Sequence, residues 1–160
     1  MAVTLEADGA IQLMDGMAER SQDLSAVMRV IASDMLTFVD TTFAASISPT
    51  GHEWEPLSEF TISLRRDRKK RPISSDKPLI DSGILRNSIT AVPGVLAVIV
   101  GTNVPYAGHH QFGTFKIPAR PFFPLTEDGE VMDEGPIAGE WERYEEMIAT
   151  YIETGDILEG

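Results

Sequence analysis

The sequence has 160 residues, of which 42% are hydrophobic and 24% charged, and its formal net charge is −12. This length predicts a single domain, 1–160, with a loose N-terminal segment over 1–13. The absence of cysteine excludes a disulfide framework, a thiolate nucleophile and a cysteine-ligated zinc site. No signal-peptide pattern opens the chain, and its longest apolar run, at 95–100, is too short to span a membrane. We therefore expect a soluble intracellular product.

Apolar residues recur at steps of three and four from about residue 14 to residue 47, which predicts one long N-terminal helix. Such a helix has a wide apolar perimeter for a small domain. Part of it therefore packs either on a neighbouring subunit or within a broad core. A second helix is predicted from Leu57, with Ser58 as its N-cap and basic residues at its C-terminal end. A final amphipathic helix is predicted within the acidic C-terminal segment, 127–160.

Shorter elements are predicted in the middle of the chain. Residues 81–89 indicate a helical turn capped by Asp81 or Ser82. Residues 89–102 indicate a β-hairpin, and its second strand is apolar on both faces, so we expect both faces to be covered. A short helix entered at Pro105 follows, and then an extended segment whose two prolines place it either at a sheet edge or in an extended arm. This order predicts an α+β fold, with a long N-terminal helix and shorter helices packed on a small, mainly antiparallel β-sheet.

Two adjacent histidines, His109 and His110, are candidates for metal binding or general-base chemistry. Adjacent helical residues point about 100° apart, so the two cannot easily bind one ion. Ser82 lies in an Asp-Ser-Gly sequence that suggests a serine hydrolase, but the Gly-x-Ser-x-Gly elbow is absent. The residues favour a structural role, in which one histidine caps or hydrogen-bonds the neighbouring backbone. A hydrolase or metal enzyme centred on His110 stays the alternative.

Charge is unevenly distributed along the chain. Residues 127–160 hold twelve acidic side chains and one basic side chain, a net charge of −11, so the rest is nearly neutral. Six of the thirteen basic residues lie within 65–71, where only Asp67 is acidic, so we expect local acids to leave these charges uncompensated. The cluster could bind nucleic-acid phosphates, but it lacks interleaved aromatic residues. The sequence therefore favours a solvated face or a contact with an acidic protein surface. We call it the basic cluster; its members are Arg65, Arg66, Arg68, Lys69, Lys70 and Arg71.

Four segments, in this order, resemble the phage virion morphogenesis family of Mu-like phages. They are "GHEWEPLSEFT" at 51–61, "LIDSGILRNSI" at 79–89, "VIVGTNVPYAGHHQFGT" at 98–114 and "IPARPFFPL" at 117–125. Each segment alone is weakly specific, whereas four in the family's order are a strong signal. The departure is Ser82, which stands where the family usually has threonine. The pattern is also similar to the wider tail-completion and neck proteins of tailed phages.

The resemblance implies a structural virion protein with no catalytic residues, cofactor or metal. It implies a homo-oligomeric ring, in many members a hexamer, at the head–tail junction (the neck), as a tail-completion or tail-terminator protein. Expected partners are further copies of the chain, a head-side connector or stopper protein and the tail tube. Genomic DNA would pass through the lumen without specific binding, and no membrane is involved. A head-side assembly factor and a nucleic-acid-binding module are the alternatives.

The resemblance also implies structural roles for the motif residues. Gln111 and one histidine would satisfy buried backbone groups, and Gly113 would permit a turn with positive φ. Arg120 would pair with a carboxylate or with backbone carbonyls, between prolines that stiffen the extended arm. The full set of structural motif residues is Trp54, Gly83, Leu85, Ser88, Gly101, Tyr106, Ala107, His110, Gln111, Gly113, Pro118, Arg120, Pro121 and Phe122.

Overall fold

The computed structural model describes residues 8–66 and 76–157, and of residues 8 and 10 only the backbone. The elements of the described residues form an α+β fold, so the predicted class is confirmed. In chain order they are α1 (Asp8–Gln22), α2 (Ser25–Ala45), α3 (Glu59–Arg66), α4 (Ile84–Asn87), β1 (Ile89–Pro93), β2 (Val98–Thr102), α5 (Ala107–Gln111) and α6 (Pro136–Thr154). Helix α1 begins within the segment that was predicted to be loose. Within the described ranges, no helix is long and apolar enough to cross a membrane.

The prediction of one continuous helix over 14–47 is wrong, because the chain bends between α1 and α2 at Asp23 and Leu24. Asp23 Oδ1 accepts a hydrogen bond of 2.9 Å from the backbone N–H of Ser25, as aspartate does at helix starts. Hydrogen bonding by Ser25 also lowers the pKa of Asp23. Leu24 is buried, and its N–H donates to the carbonyl oxygen of Val95. The apolar spacing continues across the bend, which is why spacing alone predicts a single helix.

Helix α2 packs against the hairpin on one side and against α6 on another. Arg143 of α6 fixes this packing through an ion pair of 2.8 Å with Asp34 of α2 and one of 2.7 Å with Glu140. Helix α1 also contacts α6, where Arg20 Nε donates to the carbonyl oxygen of Ile152 at 2.8 Å. The first apolar cluster lies between these helices. Its buried members are Leu24, Val27, Met28, Ile31, Met35, Tyr144 and Met147.

The two strands form an antiparallel hairpin in which Ala91 lies opposite Val100 and Val92 lies opposite Ile99. One face of the hairpin lies on α2. The prediction that the second strand is covered on both faces is wrong, because Ile99 is 71% exposed and Val92 is 60% exposed. In the part of the chain that the structure describes, nothing packs on this outer face.

A second apolar cluster surrounds the C-terminal half of α2. The ring of Phe43 meets the ring of Trp54 edge-on, with centroids 5.6 Å apart, and lies 5.3 Å from the ring of Phe122. Phe43 and Phe122 are completely buried. Trp54 and Phe122 come from different sequence motifs, so this cluster joins those motifs to the body of the fold. Its other buried members are Val39, Leu85 and Ala107.

Three shorter predictions have different outcomes. Helix α3 does begin after Ser58, whose hydroxyl accepts from the N–H of Thr61 at 3.3 Å, but it contains no buried residue. Helix α4 begins after Gly83, and neither Asp81 nor Ser82 caps it. Of the two predicted alternatives for the proline-containing segment, the described residues have the extended arm and not the sheet edge, because the hairpin consists of β1 and β2 alone. Prolines that lack an N–H donor disfavour such pairing.

Candidate functional site

The sequence motifs come together around one cleft of about 660 Å³. Its wall includes Pro56, Gly83, His110 and Pro118, one residue from each of the four motif segments. Leu85 belongs to both the cleft wall and the second apolar cluster. We call this region the motif junction: the cleft together with the hydrogen-bonded motif residues beside it.

Gln111, the buried last residue of α5, fixes the extended arm. Its side-chain Nε2 donates to the carbonyl oxygens of Phe123, at 2.8 Å, and Leu125, at 2.9 Å. Its Oε1 accepts from the N–H groups of Phe122 and Phe123, both at 3.0 Å. Three of the four hydrogen bonds go to the backbone of Phe122 and Phe123, which have no strand partner, and the fourth goes to Leu125, which forms an isolated bridge with Val131. One amide thus satisfies backbone groups that a sheet would otherwise pair.

Trp54 and Arg120 link the first motif to the last. Trp54 Nε1 donates to the carbonyl oxygen of Pro121 at 2.8 Å. In the opposite direction, Arg120 Nε donates to the carbonyl oxygen of Glu55 at 2.8 Å. A terminal nitrogen of the same guanidinium donates to the carbonyl oxygen of Pro56 at 3.3 Å. Arg120 is only 6% exposed, and burial lowers the pKa of its guanidinium, which still stays charged. The two segments are thus joined by side chains from both sides.

Gly113 makes the turn that brings the arm back to α5. Its φ is +76°, and a Cβ built there would lie 2.7 Å from the backbone nitrogen of Ala119. The N–H of Arg120 donates to the carbonyl oxygen of His110 at 2.7 Å across this turn. Both the backbone conformation and the close approach require a residue without a side chain.

His110 lines the cleft, whereas His109 is exposed. The ring of His110 meets that of Tyr106 edge-on at 5.8 Å, and its Nδ1 is buried with no hydrogen-bond partner among the described residues. The predicted side-chain hydrogen bond to the neighbouring backbone is therefore not found at this atom. Burial lowers the pKa of His110, and the charges of Arg120 and His109 act in the same direction. The ring is consequently neutral near pH 7.

The geometry does not assemble hydrolase or metal chemistry in the described ranges. Ser82 and His110 both line the cleft but are not hydrogen-bonded to each other, and Asp81 forms an ion pair with Arg65 at 3.8 Å. A nucleophile and its base are expected within hydrogen-bond reach. Residues 8–66 and 76–157 contain no group of three or more acidic, histidine or cysteine side chains placed to hold a metal ion.

The remaining motif residues hold the short elements around the cleft. Ser88 donates to the carbonyl oxygen of Leu85 at 2.7 Å and its hydroxyl lies 2.6 Å from that of Thr102, which ties α4 to β2. Gly101 pairs with Thr90 in the hairpin. Leu85 and Ala107 are buried, Gly83 has a φ of +74°, and Tyr106 is partly exposed on the cleft wall.

Only two members of the basic cluster lie in the described ranges, and both have acidic neighbours. Arg65, with 10% of its side chain exposed, donates to the carbonyl oxygens of Lys77 and Ile80 and pairs with Asp81. Arg66 pairs with Asp76 at 2.8 Å on the surface. The expectation that local acids leave these charges uncompensated is therefore wrong for both. The members outside the described residues are Arg68, Lys69, Lys70 and Arg71.

Sequence analysis missed an ion pair that anchors α4 to α2. The guanidinium of Arg86 forms two bonds to the carboxylate of Asp40, Nε to Oδ1 at 2.5 Å and the terminal nitrogen to Oδ2 at 2.6 Å. Hydrogen bonding in this pair lowers the pKa of Asp40 and raises that of Arg86. The two residues are 46 positions apart, so no local spacing indicates their pairing.

The fold and the motif junction define a small α+β structural domain, in which the motif residues pack and hydrogen-bond. The chain belongs to the phage virion morphogenesis family, whose sequence profile matches residues 6–139. Its role is accordingly in the morphogenesis of a phage virion.

Two Haemophilus influenzae proteins are similar to the chain. It is 42% identical over 78 residues to "Mu-like prophage FluMu G protein 2", a match that covers 44% of this chain and 56% of that protein. It is 30% identical over 122 residues to "Mu-like prophage FluMu G protein 1", which covers 74% of each chain. The chain thus spans little more than half the length of the first relative. No solved structure matches it significantly.

Proposed function

We propose that the protein forms a homo-oligomeric ring, a hexamer, at the head–tail junction of a tailed phage particle. In this role it completes or terminates the tail and joins it to a head-side connector or stopper protein. Genomic DNA passes through the lumen without specific binding. Membership of the virion morphogenesis family supports a structural role of this kind.

The observation that carries the proposal is the amount of apolar surface left uncovered on two elements. Helix α1 exposes Ile11, Leu13 and Met14 by 53%, 57% and 67%. The hairpin exposes Val92 and Ile99 to a similar extent. Exposed apolar patches of this kind are typical of surfaces that other protein chains cover. Identical copies that cover each other's patches would bury both elements at once.

The charge distribution is compatible with a ring around DNA. The loop between the extended arm and α6 exposes five carboxylates and no basic residue. If this loop faces the lumen, its negative potential keeps the DNA backbone from adhering to the wall. We call it the acidic loop; its carboxylates belong to Glu127, Asp128, Glu130, Asp133 and Glu134.

The test is the position of this chain in particles of the phage or prophage that encodes it. Electron microscopy of particles made without the chain should show filled heads and tails that are not joined, and supplying the chain should restore joined particles. A map of complete particles should place a closed ring of the chain at the neck. One or two copies there, or a position at the distal tail, would contradict the proposal. Loss of the chain from complete particles would indicate a head-side assembly factor instead.

A further inference from the structure

We propose that neighbouring copies join through their β-hairpins, with the free edge of β2 in one copy pairing antiparallel to the free edge of β1 in the next. This inference rests on the proposed ring, because it names the surface through which the ring closes. It concerns the free edges and outer face of the hairpin, whose residues do not line the cleft.

The register of the hairpin determines which backbone groups are free. The N–H of Gly94 donates to the carbonyl oxygen of Ala97 at 2.7 Å, which makes this a hydrogen-bonded pair. Hydrogen-bonded pairs alternate with non-hydrogen-bonded pairs along an antiparallel ladder. The next hydrogen-bonded pair is therefore Val92 with Ile99, and the one after it is Thr90 with Gly101. The intervening residues turn their backbone groups away from the partner strand; they are Ile89, Ala91 and Pro93 in β1 and Val98, Val100 and Thr102 in β2.

These outward groups form two open edges. No backbone hydrogen bond joins either edge to another part of the described chain. Pro93 is consistent with this assignment, because its missing N–H lies at an outward position and breaks no bond inside the hairpin. One edge therefore belongs to β1 and the other to β2.

Apart from Pro93 at the turn end of β1, the edges lack the charged side chains that protect open strands in monomeric proteins. Residues 89–102 contain no charged side chain, whereas lysines and inward-pointing charges normally block pairing with other chains. The outer face presents Val92 directly opposite Ile99, and the connecting turn exposes Val95 and Leu96 by 52% and 61%. Since α2 covers the other face, a partner can approach only along the edges and this outer face.

A second copy of the same chain fits this surface, because each copy carries one edge of each kind. Pairing of β2 in one copy with β1 in the next is a head-to-tail contact, and such contacts form a ring when the rotation closes. The closed sheet then has no open edge. An isolated two-stranded hairpin is marginally stable, so pairing with a neighbour also stabilises the hairpin itself.

Disulfide cross-linking tests the contact, and the absence of native cysteine removes any background. Two variants with one cysteine each are co-produced in cells whose phage lacks its own copy, and complete particles are purified and oxidised. The β1 cysteine replaces Thr90 or Val92, and the β2 cysteine replaces Ile99 or Gly101. All four positions belong to the outer face, where residues on adjacent strands approach closely enough for a disulfide. The four combinations allow for different registers between copies.

At least one mixed combination should give a cross-linked dimer on a non-reducing gel, and each single variant alone should remain monomeric. Glu145→Cys, on the exposed face of α6, is the matched control and should not cross-link to the β1 variants. Particles that contain the protein, yet give no dimer in any of the four mixtures, would overturn the hairpin contact but not the ring. Dimers from a single variant alone, or a cross-link to another virion protein, would also overturn it. Absence of the protein from the neck would instead contradict the proposed function.

Discussion

The side-chain amide of Gln111 and the backbone of Phe123 form a reciprocal pair of hydrogen bonds. Nε2 donates to the carbonyl oxygen at 2.8 Å, and Oε1 accepts from the N–H at 3.0 Å. This is the pattern that two residues of neighbouring strands would make, but one partner here is a side chain. The C-terminal part of the extended arm is therefore held by a side chain of α5 rather than by a sheet, in addition to the bonds that Trp54 and Arg120 make.

Replacing Gln111 by alanine should lower the free energy of unfolding by about 2–4 kcal/mol. The four hydrogen bonds of its amide would be lost, and the freed backbone groups of Phe122, Phe123 and Leu125 would be incompletely satisfied. Urea denaturation of the purified protein measures the change. The control is Gln22→Ala at the exposed end of α1, where a change within about 0.5 kcal/mol is expected. Equal, small effects of both substitutions would contradict the role assigned to Gln111.

Gly113→Ala should destabilise the protein by about 1–3 kcal/mol, because it places a Cβ at positive φ and against the backbone of Ala119. Gly139→Ala is the matched control. Gly139 lies inside α6, and a Cβ added there would meet no atom within 4 Å, so this change should be neutral or stabilise by up to about 1 kcal/mol. Thermal melts should therefore give a lower melting temperature for Gly113→Ala and an unchanged or higher melting temperature for Gly139→Ala. A harmless Gly113→Ala would mean that the turn is not closely packed.

Protonation of His110 should destabilise the fold. The pKa of His110 is lowered, chiefly by burial, so between the folded value and the ordinary value of about 6.5 the unfolded chain binds the proton more tightly. The stability that the neutral ring provides is present above the ordinary pKa and is lost as the pH falls through this window. Replacing His110 by glutamine should therefore flatten the dependence of the unfolding free energy on pH as the pH falls below the ordinary value of about 6.5.

The exposed neighbour provides the control for that experiment. His109 is exposed, so His109→Gln should change the unfolding free energy at neutral pH by no more than about 0.5 kcal/mol. A further variant, His110→Ala, tests the enzymatic alternative, since a hydrolytic activity that disappears in it would overturn the structural interpretation. An unchanged pH dependence in His110→Gln would show that titration of this ring is not linked to folding.

The fold class and many of its elements could be predicted from the sequence, because they depend on local patterns. The hairpin follows from the apolar strands around Pro93 and Gly94, and α6 follows from apolar spacing between acidic residues. The bend at Asp23 could not be found in this way. It depends on a hydrogen bond from Leu24 to Val95, which is distant in sequence, and the apolar spacing does not change there.

The site shows the same division between local and distant information. Motif resemblance identified Gln111, Gly113 and Arg120 as structural residues, but not the atoms that they contact. The partners of Arg120 are carbonyl oxygens of Glu55 and Pro56, and every residue has a carbonyl, so residue type carries no signal for them. The exposed outer face of the hairpin was missed, because an apolar strand in a monomer is expected to be covered.

Arg65 and Arg66 should respond differently to charge reversal. Arg65→Glu should lower the unfolding free energy by about 1–3 kcal/mol, because its side chain is mostly buried and donates to the loop that precedes α4. Arg66 and its partner Asp76 are both exposed, so Arg66→Glu should change stability by less than about 1 kcal/mol. Thermal melts at low salt compare the two. If both reversals are harmless, Arg65 does not hold this loop.

The contribution of the basic cluster to assembly should therefore be tested without Arg65. Reversing Arg66, Lys69 and Lys70 to glutamate should reduce the joining of subunits, or of tail to head, while the isolated protein keeps its melting temperature.

Deleting 127–160 is not a usable counterpart, because it removes the buried side chains of α6. Replacing the acidic loop's carboxylates by lysine is cleaner, since all five are exposed. If the cluster and the acidic loop of a neighbour attract each other, each reversal alone should lower particle yield, and the two together should restore it. Raised salt should weaken assembly of the unmodified protein as well. Particles that assemble normally with the triple reversal would identify the cluster as a solvated surface.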